Sequence, residues 1–399
     1  MRGLSLPTPT ALSPSLLLLL AILAVAMALR LYGINWDSGF GFHPDERDIY
    51  MRSGCMYEAL TGAPAYQDCG YLRAHPQTVP GLPSPGVFLD AERSPLNPHW
   101  FPLGSILIYT LVGFRFVVEL FTDVSALDMR YVGRALSALA DTGSVLMVFV
   151  LGRRLYGNRV GLLAAALTAL AVIHVQNSHF YRPETFAGLF ALASFWAMFR
   201  MLERKRFGDS VLLGVLIGLA VAPKISAAPL LLPLAMAYGY RLWDSLRVEQ
   251  ADFRETPQKI VLHGTVAFLA AVLVFVITSP YALIDYKAFA GDLSAQSNMV
   301  RNAGVWPFTV QYVGTSPFLY QIKQTAVFGL GLPLGIAAWL AVPFTAATMV
   351  WRTGGRRNDF LILAFILVTL AMLESFEVRF QRYLFTLIPL MILLGARML

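Results

Sequence analysis

The chain is 399 residues long, with 57% hydrophobic and only 14% charged residues and a mean hydropathy of +0.60. That balance excludes a soluble domain, which could not hide so much apolar surface. A formal net charge of +7 would suit an anionic partner, but the cations sit in short connections between apolar runs, so a membrane and no nucleic acid is the expectation.

In chain order, the first run, residues 15–31, is long enough to cross a hydrocarbon core at roughly 1.5 Å per residue. Ala26-Met27-Ala28 offers small residues for a signal-peptide cleavage point, but the later runs also need a membrane. Further spans are expected at 132–151, 160–175, 185–202, 211–222, 227–243, 260–278, 325–350, 360–373 and 384–398, about ten in all. Arg2, Arg153-Arg154, Arg159, Glu203-Arg204-Lys205-Arg206, Arg352 and Arg356-Arg357 belong inside by the positive-inside rule, which puts the loop after Leu31 outside. The run 101–121 breaks the alternation. With Arg115 and Glu119 inside it, it reads as a half-inserted or interfacial helix, the alternative being a true span with the first helices inverted. The chain is thus an all-α polytopic membrane protein, one domain over 1–399 with two large extracytoplasmic loops, 32–130 and 281–323. Within the first, the Pro- and Gly-rich stretch 73–102 should be irregular and packed over the active face.

The two cysteines, Cys55 and Cys69, both fall in the first outer loop, where an oxidising compartment would permit a disulfide. Two unpaired thiols are the equal alternative, and two cysteines so placed do not make a metal site.

Alternation gathers polar residues from distant stretches onto one face. His43, Asp45 and Glu46 come from the first loop, His179, Arg182 and Glu184 from the turn after the third span, Lys224 from a tight turn, and Arg379 and Arg382 from the segment before the last span. Each has a plain alternative. Pro44-Asp45-Glu46 can start a helix, Arg182 can pair with Glu184, and Lys224, Arg379 and Arg382 can snorkel. Lys224, however, interrupts an apolar double span on the face where positive charge is disfavoured, which makes it a functional candidate. Joined, the groups suit a reaction in which a lipid phosphate leaves while an acceptor hydroxyl loses a proton. Asp45 would be the general base, aided by Glu46. Lys224 with Arg379 or Arg382 would neutralise the phosphate, and His43, His179, Arg182 and Glu184 would bind substrate. Gln296, Asn298, Arg301 and Asn302 read as solvated rather than as sugar ligands, and 244–259 as a surface helix or linker without chemistry.

The succession Arg134-Ala135-Leu136-Ser137-Ala138-Leu139, Gly152-Arg153-Arg154-Leu155-Tyr156-Gly157 and Asn177-Ser178-His179-Phe180 resembles the GT-C polyprenyl-phosphate-sugar glycosyltransferases, nearest to bacterial protein O-mannosyltransferases and aminoarabinose transferases. Pro280-Tyr281-Ala282-Leu283-Ile284-Asp285 is similar to the start of that group's second outer loop, and Arg379-Phe380-Gln381-Arg382-Tyr383-Leu384, followed by Pro389, to its arginine-tyrosine motif. The resemblance implies the GT-C fold and a catalytic acid in the first outer loop, mapped onto Asp45 and Glu46. It also implies transfer of a sugar, mannose among the candidates, from a polyprenyl-phosphate donor to a hydroxyl on protein, lipid or glycan at the extracytoplasmic face of a bacterial plasma membrane. His43-Pro44-Asp45-Glu46 resembles the first-loop motif of lipid-anchor and N-glycan mannosyltransferases as well. Many relatives carry Asp where this chain has Glu184, which leaves a divalent metal open; relatives often also continue through further helices or an outer domain. A secondary transporter is the first rival, though it would place charges near the bilayer midplane with repeat symmetry. A non-catalytic scaffold of the same fold is the second.

Overall fold

Helix α1 (Pro14–Leu31) begins where the Ser13 hydroxyl accepts from the Leu16 amide and Pro14 supplies a preset first turn. The computed structural model describes residues 13–62, 69–247, 255–351 and 355–399, so Arg2, Arg352 and the middle of the expected linker 244–259 lie outside the described residues. Every regular element among the described residues is helical.

The first large loop holds α2 (Pro44–Thr61), two single turns, α3 (Gly70–Arg73) and α4 (Pro85–Phe88), and α5 (Ile106–Val118). A bundle follows: α6 (Met129–Tyr156), α7 (Asn158–Leu170), α8 (Val172–Ser178), α9 (Pro183–Arg204), α10 (Phe207–Val221), α11 (Leu231–Arg247) and α12 (Pro257–Thr278). The second loop carries α13 (Tyr281–Ile284), α14 (Tyr286–Arg301) and α15 (Leu319–Gln324), before α16 (Leu332–Trp351), α17 (Arg356–Glu374) and α18 (Ile388–Met398) close the described chain.

Among the described residues five helices are long and apolar enough to cross a membrane: α1, α6, α9, α12 and α16. The expected span 160–175 is instead two helices, α7 and α8, bent by 57° at Ala171. The expected run 325–350 is also interrupted, by a π turn at Thr325–Gly329 and by Gly331 at φ +77° before α16 starts. Residues 384–398 yield only the 11-residue α18, whose side chains from Ile388 to Ala396 are all buried and which packs against α16, α7 and α6. It is a core helix rather than a lipid-facing one. The 13-residue α5 rises roughly 20 Å, short of a roughly 30 Å hydrocarbon core, and packs on α2 and α6.

Charge also holds the bundle together where it is driest. Arg30 on α1 donates from Nε to Asp141 Oδ2 on α6 at 2.7 Å, and His174 Nδ1 on α8 lies 2.7 Å from Asp141 Oδ1, all three side chains fully buried. Arg30 Nη1 also donates to the carbonyls of Ala26 and Ala169, at the C-terminal end of α7. An ionised pair in this setting holds only if its remaining donors are satisfied, and the bend at Ala171 is what presents the Ala169 carbonyl and His174 to it.

The two large loops pack on each other. Ser94 Oγ meets Tyr281 Oη at 2.5 Å, Asn97 Nδ2 donates to Asp285 at 2.9 Å, and Asp292 accepts from the Phe101 amide at 2.7 Å. The stretch 73–102, irregular apart from α4, therefore lies over α13 and the start of α14. The segment after α17 joins the same face, where the Val378 amide donates to Val300 and Glu377 accepts from the Ala303 amide. Gly104 lies against the turn that bears Lys224: its amide donates to the Pro223 carbonyl, and a Cβ there would fall 1.8 Å from the Ala222 oxygen. No residue but glycine fits that approach.

Candidate active site

Helix α2 starts at Pro44, so Asp45 and Glu46 occupy its first turn, where the helix dipole favours carboxylates. Neighbouring positions on a helix point about 100° apart, and here that difference separates their fates.

Glu46 turns inward and is fully buried. Arg134 on α6 donates to it from Nε (2.9 Å) and Nη2 (2.7 Å), and the Tyr181 amide donates to it at 2.9 Å. Asp37, 1% exposed, takes the other side of the same guanidinium at 2.9 and 3.0 Å. The hydrogen bonds and charge of Arg134 hold the Asp37 carboxyl down at about 2. Glu46, expected as helper to the base, is instead found engaged by Arg134 and the Tyr181 amide, fastening α2 to α6.

Asp45 turns outward, its side chain 32% exposed, with Arg382 Nη2 3.5 Å from its carboxylate. Arg382 also lies 3.8 Å from Glu184, which accepts from Lys224 Nζ at 2.9 Å and from Arg182 at 3.2 Å. Arg182 in turn donates to Asn177 Oδ1 (2.9 Å) and to His43 Nε2 (2.5 Å). Lys224 sits 5.0 Å above the Tyr383 ring, and Arg382 4.2 Å above Phe380. Four stretches of chain therefore bring Asp45, Arg382, Glu184, Lys224, Arg182 and His43 into one connected cluster. It holds three cations against two carboxylates. That surplus of positive charge, partly shielded from water, can attract an anion beside an accessible carboxylate.

Two expected members stand apart. Arg379 is buried and directed at Thr315 Oγ1 (2.7 Å) and Glu374 (3.5 Å), tying the segment after α17 to the second loop rather than facing Asp45. His179 has its ring nitrogens 2.7 Å from the carbonyls of Val175 and Tyr32, which fixes the chain leaving α1. Both are held in these contacts, away from the cluster around Glu184. Cys55 and Cys69 are joined in a disulfide, which ties the C-terminal half of α2 to α3. Among the described residues no three His, Cys, Asp or Glu side chains gather at metal-binding distance. Gln296, Asn298, Arg301 and Asn302 lie on or just after α14, a helix with no buried residue.

Arg134, Asp37 and Asn177 join these residues; the sequence puts Asp37 and Asn177 on the same face but assigns none of the three a role. An arginine and an aspartate seven residues apart in the apolar α6, Arg134 and Asp141, were the available signal, since ionisable groups inside a span seldom lack a task.

Burial and the facing Arg182 guanidinium push the His43 imidazole down to about 4. The unfolded chain, with an ordinary histidine near pH 6.5, takes up that proton first, so stability is full above about pH 6.5 and falls as pH drops toward 4. His99 in the first loop is likewise held at about 4, by burial and the adjacent His75, and contributes in the same window. His43→Gln, which still accepts from Arg182, should flatten part of the acid-side fall in thermal midpoint; a fall as steep as wild type would show that His43 carries none of it.

Residues 112–284, less than half of the chain, match the family described as dolichyl-phosphate-mannose-protein mannosyltransferase. A comparison with curated proteins found no match. Among solved structures, the Archaeoglobus fulgidus oligosaccharyltransferase in its apo form aligns with a TM-score of 0.59 at 15% identity over 96% of this chain and 50% of its own. The same organism's AglB in complex with an inhibitory peptide and a dolichol-phosphate gives 0.56 at 14% identity, over 96% and 50%. ArnT from Cupriavidus metallidurans bound to undecaprenyl phosphate gives 0.54 at 15% identity, over 96% and 59%. The chain thus spans about half the length of the first two and somewhat more of the third.

Proposed function

We propose that this chain, an integral membrane protein of the GT-C glycosyltransferase fold, moves a sugar from a polyprenyl-phosphate carrier to an acceptor hydroxyl, with its active site on the extracytoplasmic face. The observation that carries the reading is the accessible Asp45 carboxylate set against the Arg382, Lys224 and Arg182 cations around Glu184. The family match names a dolichyl-phosphate-mannose enzyme, and two of the aligned structures hold dolichol-phosphate and undecaprenyl phosphate. Mannose is the first donor sugar to test, and a protein side-chain hydroxyl the first acceptor.

In the proposed step the acceptor oxygen attacks the anomeric carbon as its proton passes to Asp45. The bond from that carbon to the phosphate oxygen breaks, and the electron pair leaves with the polyprenyl phosphate. The negative charge that develops there meets Lys224 and Arg382 at the mouth of the cluster, so the cations stabilise the transition state more than the ground state. Glu184 keeps those cations and Arg182 from repelling one another before the donor arrives. No covalent intermediate is needed.

Lys224→Met should lower the rate about tenfold or more, by a similar factor for every sugar on the same carrier. The check is turnover measured across donors that differ only in the sugar. A loss that varied strongly with the sugar would move Lys224 to the sugar pocket.

A further inference from the structure

The chain between α1 and α2 carries a run of rings that the proposed transfer step does not use. Phe40 and Phe42 stack at 5.5 Å and are 73% and 66% exposed. Trp36 joins them at 6.2 Å from Phe42 and meets Phe180 edge-on at 5.1 Å. Phe180 in turn meets the His43 ring at 4.9 Å. The run therefore leads from the cation cluster, through His43, to largely exposed aromatic rings.

This wall is held in place rather than draped on the surface. Trp36 Nε1 donates to the His179 carbonyl at 3.2 Å, and the Arg134 and Arg182 guanidinium groups back the Trp36 and Phe180 rings at 5.3 and 5.4 Å. The wall follows directly in the chain on α1, which is largely exposed along its apolar length and ends at Leu31, with Tyr32 beyond it 85% exposed. Rings so exposed side by side are costly in water unless something apolar covers them.

We infer that Trp36, Phe40, Phe42 and Phe180 are the path along which the isoprenoid chain of the lipid-phosphate donor leaves the cation cluster for the bilayer. The inference rests on the donor reading above and adds the tail to it. An amphiphile with an anionic head and a long apolar tail needs cations at one end, lipid at the other, and a continuous apolar surface between; this wall supplies the last. Flat rings suit a chain of repeating planar double bonds, because contact with ring faces needs no hydrogen-bond register. An aromatic anchor at the membrane interface is the competing use of the same residues, and it differs in one consequence: an anchor does not care about the ligand's tail.

The test compares equilibrium binding of undecaprenyl phosphate and of geranyl phosphate, the same head on a short tail, to the full chain in lipid nanodiscs, for wild type and for Phe40→Ala/Phe42→Ala. Both rings are exposed, so the double variant should fold, and circular dichroism and thermal midpoint confirm that it has. The variant should bind the long-tailed ligand about tenfold more weakly than wild type and geranyl phosphate unchanged. Taking each variant-to-wild-type ratio within one ligand cancels partitioning of that ligand into the bilayer. Unchanged affinity for undecaprenyl phosphate, or an equal loss for both ligands, overturns the tail path while leaving the cation site in place. A wild-type chain that binds neither phosphate overturns the donor reading itself, and the path with it.

Discussion

Asp45→Asn is expected to lower sugar transfer by about 10² to 10⁴ with the fold intact. The amide keeps the shape of the side chain but cannot take the acceptor's proton. Because Asp45 is partly exposed and, among the described residues, pairs with Arg382 at 3.5 Å, the substitution leaves no buried charge unpaired and should move the thermal midpoint little. Donor binding should persist, since the cations around Glu184 stay where they are. Purified variant with more than about a tenth of wild-type turnover would remove Asp45 as the base.

Arg134→Leu should have the opposite profile, a loss of about 3 to 5 kcal/mol in stability. Its guanidinium and the Asp37 and Glu46 carboxylates are all buried out of solvent's reach, so its removal strands two carboxylates in a dry setting and unfastens α2, Asp37 and α6 at once. The triple change Arg134→Leu with Asp37→Asn and Glu46→Gln should recover part of that loss, because neutral amides can be buried without a counter-charge. The check is unfolding of the solubilised protein in mixed micelles. A single variant within about 1 kcal/mol of wild type would contradict the reading of this triad as the fastening of the site.

The contrast between those two substitutions marks what could be read from the sequence. That His43, Asp45, Arg182, Glu184, Lys224 and Arg382 share a face was legible, because span length and the placement of short basic loops order the connections without any knowledge of packing. Which of Asp45 and Glu46 faces the bundle was not legible, since both suit the first turn of a helix and only the position of Arg134 on α6 decides between them. The same holds for Arg379 and Arg382. They lie three residues apart, the second in a short 3-10 turn, and Glu374 and Thr315 draw the first inward while Asp45 and Glu184 face the second. The break at Ala171 was invisible for a different reason. An Ala- and Leu-rich run with no Pro, and no Gly near residue 171, reads as one continuous helix, and the bend accompanies Arg30 and Asp141, which belong to other helices. Periodicity carries no information about such distant partners.

The account's central claim is that a sugar changes bonds here, not sides of a membrane. The most direct measurement follows a polyprenyl-phosphate donor labelled in both sugar and phosphate, incubated with the purified chain in liposomes and a hydroxyl acceptor. The account predicts that labelled sugar appears on the acceptor while free polyprenyl phosphate accumulates one for one, and that Asp45→Asn abolishes both together. Labelled sugar that crosses the bilayer still joined to its phosphate, or free polyprenyl phosphate that Asp45→Asn leaves undiminished, would contradict it.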